Sequence, residues 1–300
     1  MSVLNGIGEK QDILVESDKR LYLIDISSSI LKKSVVLTLA ISSQKGGVGK
    51  TTVAINLAHA YARSGRKTLL VDTDPQGSVG LSLTRQSRHL SGFYDLMLDP
   101  QLDLERVIVP TRLETFSLLA AGQTSQYDLT LGELGEGQNR LRMFWKGVAA
   151  LGYEFCIIDT AAGLYGLSAD ILCASSGVLV PQQAEPLGIR SVPKMLESLA
   201  RLRAKNSQIR VLGVLMTMVQ KNLAESREAA EALRSILPEE MVMQTGIPRD
   251  DIFVRASAKG LPVGVMDDGA GAQAVFDTLR AELDHKLDHM GLSQVVGAHE

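Results

Sequence analysis

The chain has 300 residues, and its 45% hydrophobic and 22% charged content is typical of a folded globular protein with a sizeable core. A formal net charge of −3 excludes a general electrostatic attraction to nucleic acid, so any such binding must come from a local patch. The two cysteines, Cys156 and Cys173, lie in apolar runs and indicate reduced core residues, not a disulfide or a metal site. The longest apolar runs fall far short of the ~20 residues of a membrane helix, and the polar N-terminus is unlike a signal peptide. We therefore expect a cytoplasmic protein with no membrane partner.

Residues 1–35 differ from the rest of the chain. Charged side chains are scattered there around one apolar patch, residues 21–24. This composition favours a loosely ordered N-terminal extension, with the folded domain beginning near Val36. A docked functional arm is the alternative.

From Val36 onward, short apolar runs alternate with stretches of helical spacing. Strands are predicted at residues 34–42, 68–72, 155–159, 177–181 and 211–217, and helices at 51–64, 189–205 and 224–237. Most of the strand runs lack polar alternation, as expected when both faces of a parallel sheet are covered. Repeated strand–helix–strand units imply right-handed crossovers. The predicted fold is an α/β domain at residues 36–290, with a single doubly wound, mostly parallel sheet flanked by helices, followed by a C-terminal tail at 291–300.

The most specific pattern is the stretch QKGGVGKTT at residues 44–52, which lies between a predicted strand and a predicted helix. Glycines let successive backbone N–H groups turn toward phosphate oxygens, and the start of the following helix adds its positive end. In such a P-loop, Lys50 bridges the β- and γ-phosphates of a nucleotide and the Thr51 hydroxyl ligates Mg²⁺. The loop departs from the general motif because Gln44 occupies the position of its first glycine.

Two further segments place carboxylates after predicted strands. The run FCIID, which ends at Asp159, is typical of a Walker B strand whose carboxylate holds the magnesium shell. The segment VDTDPQG at residues 71–77 follows the strand after the P-loop helix. Its Pro75 and Gly77 predict a tight turn that can sense a γ-phosphate.

The loop KGGVGKT resembles the variant Walker A loop of the ParA/MinD family, whose members share a P-loop fold of the SIMIBI type. This resemblance implies that Lys45 reaches the partner's nucleotide across an ATP-dependent homodimer, so that hydrolysis depends on dimerisation. The DPQG segment is similar to the family's and implies that Asp74 orients the attacking water and joins Thr51 and Asp159 in the magnesium site. The DTAAG ending at residues 159–163 resembles the MinD-like and flagellar-number branches, whereas DPQG resembles the partition branch, so the branch stays open.

Softer similarities extend the resemblance over residues 36–287. Residues 180–186 resemble the strand and loop before the family's central helix, and residues 269–274 resemble the opening of its last helix. The loops at 217–219 and 247–250 resemble those around the adenine and ribose, at the carboxyl ends of parallel strands. The sequence has no N-K-x-D guanine-reading motif, which favours ATP over GTP. The implied nucleotide-binding residues are Gly46, Gly47, Val48, Gly49, Lys50, Thr51, Thr52, Met218, Pro248 and Arg249, and the implied catalytic residues are Lys50, Asp74 and Lys45.

Positive charge is concentrated in the middle of the predicted domain. Residues 188–259 carry twelve Lys or Arg against eight Asp or Glu, whereas residues 260–300 carry two against seven. Helical spacing places Arg190, Lys194, Arg201 and Lys205 near one face. Lys221 and Arg249 resemble loop positions that contact DNA in chromosome-partition relatives. A solvated helix face is the alternative, and phosphate contacts would make any DNA binding strongly salt-dependent.

These features lead to two functional hypotheses. The first is a ParA-type positioning ATPase that dimerises with ATP and Mg²⁺, binds nucleoid DNA through Lys221, Arg249, Arg190 and Lys194, and is stimulated by a cargo-adaptor protein. The second is a regulatory ATPase of the flagellar-number or cellulose-synthesis type that docks on another protein without DNA. A metabolic amidoligase would need a further substrate domain, and a reductase-maturation ATPase would need metal-ligand cysteines. A membrane-targeted role is disfavoured because the last helix is acidic.

Overall fold

The computed structural model describes residues 12–17, 20–25, 36–79, 90–99, 101–123, 136–205 and 209–292. Contacts divide the chain into two units, Met1–Ser34 and Val35–Glu300. In the first unit, strands β1 (Asp12–Ser17) and β2 (Arg20–Asp25) form an antiparallel pair, which the sequence patterns did not predict. The rest of the predicted extension, and residues 293–300 of the predicted tail, lie outside the described residues.

The second unit contains one seven-stranded sheet. Its strands are β3 (Leu37–Ile41), β4 (Thr68–Thr73), β5 (Val109–Pro110), β6 (Phe116–Leu119), β7 (Phe155–Thr160), β8 (Gly177–Gln183) and β9 (Val211–Thr217). Their order across the sheet is β5-β6-β4-β7-β3-β8-β9, and every pairing is parallel except that of β5 with β6. The five strands predicted from apolar runs are all present, and the predicted fold class is confirmed. The short β5 and β6 were missed because two and four residues are too few to show a period.

Helices cover both faces of this sheet. Those of the described residues are α1 (Lys50–Arg63), α2 (Phe93–Leu98), α3 (Leu104–Val107), α4 (Glu136–Ala150), α5 (Gly166–Ala174), α6 (Pro186–Ile189), α7 (Val192–Lys205), α8 (Ala224–Ile236), α9 (Asp251–Lys259) and α10 (Ala270–His289). In β3, Leu39 and Ile41 belong to a hydrophobic cluster with α1, α9 and α10, whereas Ala40 belongs to one with α4, α5, α7 and α8. Because side chains alternate along a strand, the two clusters lie on opposite faces, which explains the continuous apolar runs.

The helix predicted at 189–205 is interrupted in the structure. It forms the short α6, with Pro186 at its first turn, and then α7, with Pro193 as its second residue. Proline has no backbone N–H, so it is tolerated in a first turn but interrupts a helix interior, and the chain restarts its helix at Val192. The other predicted helices are present, and α10 begins within the predicted segment 269–274. None of the helices among the described residues is long and apolar enough to cross a membrane.

Candidate functional site

The loop between β3 and α1 is a strained turn that only glycine adopts readily. Gly47 has φ +74° and Gly49 has φ +88°, both in the left-handed region. At the following position, Lys50 begins α1 and is only 7% exposed. The carbonyl of Val48 accepts a hydrogen bond of 2.8 Å from the Thr217 hydroxyl at the end of β9. The loop is thereby fixed against the neighbouring strand ends.

A cavity of about 720 Å³ opens beside this loop, at the carboxyl ends of the parallel strands. Its volume lies within the ~300–1,000 Å³ usual for small-molecule sites. Parallel sheets bind ligands at this edge. The lining residues are Gly46, Gly47, Gly49, Lys50, Thr51, Thr52, Thr73, Asp74, Pro75, Gln76, Ser78, Tyr94, Ala161, Ala162, Tyr165, Leu167, Ser168 and Met218.

Asp159 is a fully buried carboxylate at this site, with no solvent exposure. Its Oδ2 accepts a hydrogen bond of 2.7 Å from the Thr51 hydroxyl, while its Oδ1 has no hydrogen-bond partner among the described residues. Burial, and secondly the nearby Asp72 carboxylate, raise the pKa of Asp159 to about 8, against the opposing effects of Thr51 and Lys50. A buried carboxylate with a free oxygen beside a hydroxyl is the kind of oxygen donor set that Mg²⁺ prefers.

The donor set fits the magnesium ion that the P-loop implies. In the described part of the chain there is no group of three or more His, Cys, Asp or Glu side chains that could hold a metal. Mg²⁺ in nucleotide sites takes only one or two protein ligands and completes its shell with phosphate oxygens and water. Thr51 and Asp159 are therefore the residues that would hold it.

The segment after β4 is organised by Asp72. Its Oδ1 accepts the backbone N–H of Asp74 at 3.1 Å and its Oδ2 accepts that of Val79 at 3.0 Å. Asp74 in turn accepts the Gln76 N–H through Oδ1 at 2.9 Å, which sets its side chain at the edge of the cavity. Asp72 is a positioning residue that sequence reasoning missed, although the spacing DxD at the strand end was the available signal.

The two lysines of the loop are in different environments. The ammonium of Lys50 lies in the cavity lining and donates to the Lys45 carbonyl at 3.4 Å. Lys45 is exposed, and its ammonium donates to the carbonyl of Leu187 in α6 at 2.9 Å. One lysine therefore serves the cavity of its own chain, and the other lies outside it.

The structure brings most of the residues predicted for nucleotide binding to the cavity, but Val48, Pro248 and Arg249 are not among the residues that line it. Met218 lies in the lining and has a positive φ of 54°. Pro248 lines a separate hollow of about 230 Å³, and Arg249 is exposed, with its N–H donating to the Val219 carbonyl at 3.1 Å. Tyr94 and Tyr165 line the cavity without any sequence signal, because their positions depend on how distant segments pack.

The basic residues predicted to contact DNA are exposed on two neighbouring parts of the surface. Arg190 and Lys194 lie at α6 and α7. Lys221 and Arg249 lie on loops that are joined by backbone hydrogen bonds between residues 219 and 247–249. Helix α6 packs against α8, which begins just after Lys221. The side chain of Lys205 lies outside the described residues.

The raised pKa of Asp159 predicts a pH-dependent effect on stability. The folded pKa of about 8 exceeds the ordinary 3.8, so the wild-type protein takes up a proton on folding and loses stability as the pH rises from about 4 to 8. Asp159→Asn removes the titration and keeps an acceptor for Thr51. We expect the nucleotide-free variant to unfold at a higher temperature than wild type at pH 8, with a smaller difference at pH 5, in thermal melts.

The matched control is Asp288→Asn, which changes an exposed carboxylate on α10. Its melting temperature relative to wild type should not change between the two pH values. An Asp159→Asn variant that is no more stable than wild type at pH 8 would contradict the burial cost assigned to this carboxylate.

Comparisons with known proteins identify the family of this chain. A family model described as an AAA domain matches residues 36–211. Chromosome partitioning protein ParA of Caulobacter vibrioides is 32% identical over 258 residues, which cover 83% of this chain and 95% of the relative. The MinC:MinD cell division protein complex of Aquifex aeolicus is similar in structure, with a TM-score of 0.67, 21% identity, and coverage of 83% of this chain and 96% of that chain. Cobyrinic acid a,c-diamide synthase of Mycobacterium smegmatis, solved with a bound ATP analog and magnesium, has a TM-score of 0.63, 25% identity, and coverage of 89% and 100%. The P-loop, the buried aspartate beside Thr51 and these matches together show that the chain belongs to the ParA/MinD family of P-loop ATPases.

Proposed function

We propose that this protein is a ParA-type positioning ATPase. It binds ATP and Mg²⁺, forms a homodimer around the nucleotide, holds nonspecific DNA in that state, and is released when a cargo-adaptor protein stimulates hydrolysis. The cargo is a plasmid, a chromosome or a protein assembly. The observation that carries this proposal is the contrast between Lys50, which lines the cavity and is buried, and Lys45, which is exposed and does not line it.

The residues of the cavity have separate tasks in hydrolysis. Lys50 neutralises charge on the phosphates, and the N–H groups of the glycine loop bind their oxygens. Mg²⁺, when bound to Thr51 and Asp159, offsets the charge of the phosphate oxygens. Asp74 orients the attacking water, and its carboxylate is held for that task by the turn that begins at Asp72. The free-energy cost of burying the Asp159 carboxylate is offset when a bound cation contacts its Oδ1, which has no hydrogen-bond partner among the described residues.

Lys45 serves a second copy of the chain. A cation supplied in trans makes hydrolysis depend on dimerisation, because the charge that develops on the transferred phosphoryl group is neutralised only in the dimer. The bond from Lys45 to the Leu187 carbonyl is exposed and involves a neutral acceptor, so water exchanges for it at little cost. Tyr165, which lines the cavity, and Leu187, the α6 residue that binds Lys45, are 67% and 69% exposed. Contact with a second copy would bury these two apolar side chains.

The proposed binding of DNA is argued from exposed positive charge, and the proposed adaptor protein from similar proteins. Arg190, Lys194, Lys221 and Arg249 are exposed cations, and phosphate contacts by such residues give binding without sequence preference. The relative from Caulobacter vibrioides is a chromosome partitioning protein, and the Aquifex aeolicus structure is a complex with a second protein. Both support a protein that acts together with a partner on a cargo.

Lys45→Ala tests the action in trans. We expect ATP affinity to stay close to wild type, because the side chain lies outside the cavity lining. ATP-dependent dimerisation should be lost, and turnover should fall by about 10³-fold, the lower range for a cation supplied in trans. Lys146→Ala, which removes an exposed lysine of α4, is the control and should match wild type. Undiminished turnover by Lys45→Ala would rule out the role in trans.

Asp74→Ala tests the orientation of water. Turnover should fall by about 10²-fold or more, while a stable ATP dimer accumulates in size-exclusion chromatography. Asp74→Asn is the informative control, since its amide oxygen can still accept the Gln76 N–H while the charge is gone. Both variants should be inactive if the carboxylate is needed. Activity in Asp74→Asn would mean that Asp74 stabilises the turn and does not act in hydrolysis.

Binding to random-sequence duplex DNA, measured with ATP, with ADP and without nucleotide over a salt series, tests the remaining step. Affinity should be high only with ATP. Each phosphate contact removed should lower the magnitude of the salt slope by about 0.9. Lys194→Ala combined with Lys221→Ala removes two contacts from each copy and should lower it by about 3.6 for the homodimer, with Lys146→Ala as control. A dimer that binds no DNA in any nucleotide state would favour the regulator that docks on protein instead.

A further inference from the structure

Gln44 makes a hydrogen bond that nucleotide binding does not require. It occupies the first-glycine position of the loop, is half-buried, and does not belong to the cavity lining. Its Nε2 donates to the hydroxyl of Ser198 in α7 at 3.1 Å. That hydroxyl donates in turn to the Lys194 carbonyl at 3.0 Å. A serine hydroxyl can accept and donate at once, so the two bonds form a continuous path from the P-loop to α7.

The bonds of Lys45 and Gln44 end in the same segment. Lys45 is bound to the Leu187 carbonyl in α6, and Gln44 to Ser198 in α7. The partners are 142 and 154 residues away in sequence, whereas the two loop residues are adjacent. This segment, residues 187–198, carries the exposed Arg190 and Lys194. Two neighbouring P-loop residues therefore hold the part of the surface that bears the basic side chains.

Among the described residues, α7 is also held by apolar packing. Its buried side chains include Val192, Met195 and Leu199, which lie in the cluster on one face of the sheet. Apolar packing of this kind permits small sliding of a helix, whereas a directional hydrogen bond fixes its position relative to one atom. The Gln44–Ser198 bond thus relates the position of α7 to the P-loop itself.

We propose that Gln44 and Ser198 are positioning residues that couple the nucleotide state of the P-loop to the basic surface of α6 and α7. This inference rests on the proposed function, because Lys45 must leave the Leu187 carbonyl to reach a partner's nucleotide. The Gln44–Ser198 bond is then the remaining side-chain hydrogen bond between the loop and residues 187–198 in the described part of the chain. A shift of the loop passes through this bond to α7, which sets Arg190 and Lys194 for DNA in the ATP state.

Thermodynamic linkage makes this coupling reciprocal. If ATP strengthens DNA binding by a given factor, DNA strengthens ATP binding by the same factor. A purely structural role for the Gln44–Ser198 bond predicts a different result. Its loss would lower thermal stability and leave the ratio of DNA affinities in the ATP and ADP states unchanged.

Ser198→Ala separates these cases. We measure the affinity of the full chain for random-sequence duplex DNA with ATP and with ADP, together with ATP affinity and dimerisation. The ratio of the two DNA affinities should fall at least about fivefold, the lower range for allosteric coupling, while ATP affinity and dimerisation stay unchanged. Ser198→Thr keeps a hydroxyl and should restore the ratio. Ser235→Ala is the matched control, because Ser235 makes the same kind of bond to a carbonyl within α8, at 2.8 Å, without touching the P-loop.

A second variant tests the path from the other end. Gln44→Ala combined with Ser198→Ala should lower the ratio no further than Ser198→Ala does alone, since one bond has been removed in both cases. ATP-dependent DNA binding by wild type with an equal ratio in Ser198→Ala would overturn the link and leave the proposed function standing. Wild-type protein with no ATP-dependent DNA binding would overturn both.

Discussion

The buried carboxylate of Asp159 is the constraint on which the site depends. It lies at the end of β7, between β4 and β3, and the hydroxyl of Thr51 is its hydrogen-bond partner. An ionised group at this depth is costly, which is why burial raises its pKa to about 8. The strand order places the P-loop, which follows β3, directly beside this carboxylate. The sheet thereby brings the Lys50 ammonium and the Asp159 carboxylate close enough to interact at one edge.

The neighbouring strand β4 positions the segment that carries Asp74. Asp72 is wholly buried and uses both carboxylate oxygens to hold the backbone of the segment that carries Asp74. The hydroxyl of Tyr94 donates to the Thr73 carbonyl at 2.8 Å, and that of Thr73 donates to the Asp159 carbonyl at 2.8 Å. These bonds tie the turn at Asp74 to β7, the strand that carries Asp159. The hydrogen bonds therefore join β4, β7 and the segment that carries Asp74 into one connected edge of the cavity.

The loop itself joins the nucleotide to the rest of the surface. Its glycines and Lys50 line the cavity, and Gln44 and Lys45 are bonded to the segment after β8. Residues 44–52 thus contact the cavity on one side, and on the other side contact α6 and α7, which carry Arg190 and Lys194. A protein whose cargo contacts depend on its nucleotide needs such a junction, because coupling is carried by elements that both sites contact.

The sequence by itself determined the P-loop, the principal strands of the sheet and the residues Lys50, Thr51 and Asp159, because these depend on local rules. Positive φ angles at fixed spacing require glycine, and apolar runs report burial on both faces. Only the tertiary structure decided that Pro248 and Arg249 are not among the residues that line the cavity, that Tyr94 and Tyr165 line it, and that Gln44 contacts Ser198. These contacts join segments far apart in the chain, and their geometry follows from strand order and helix packing, which no short stretch of sequence specifies.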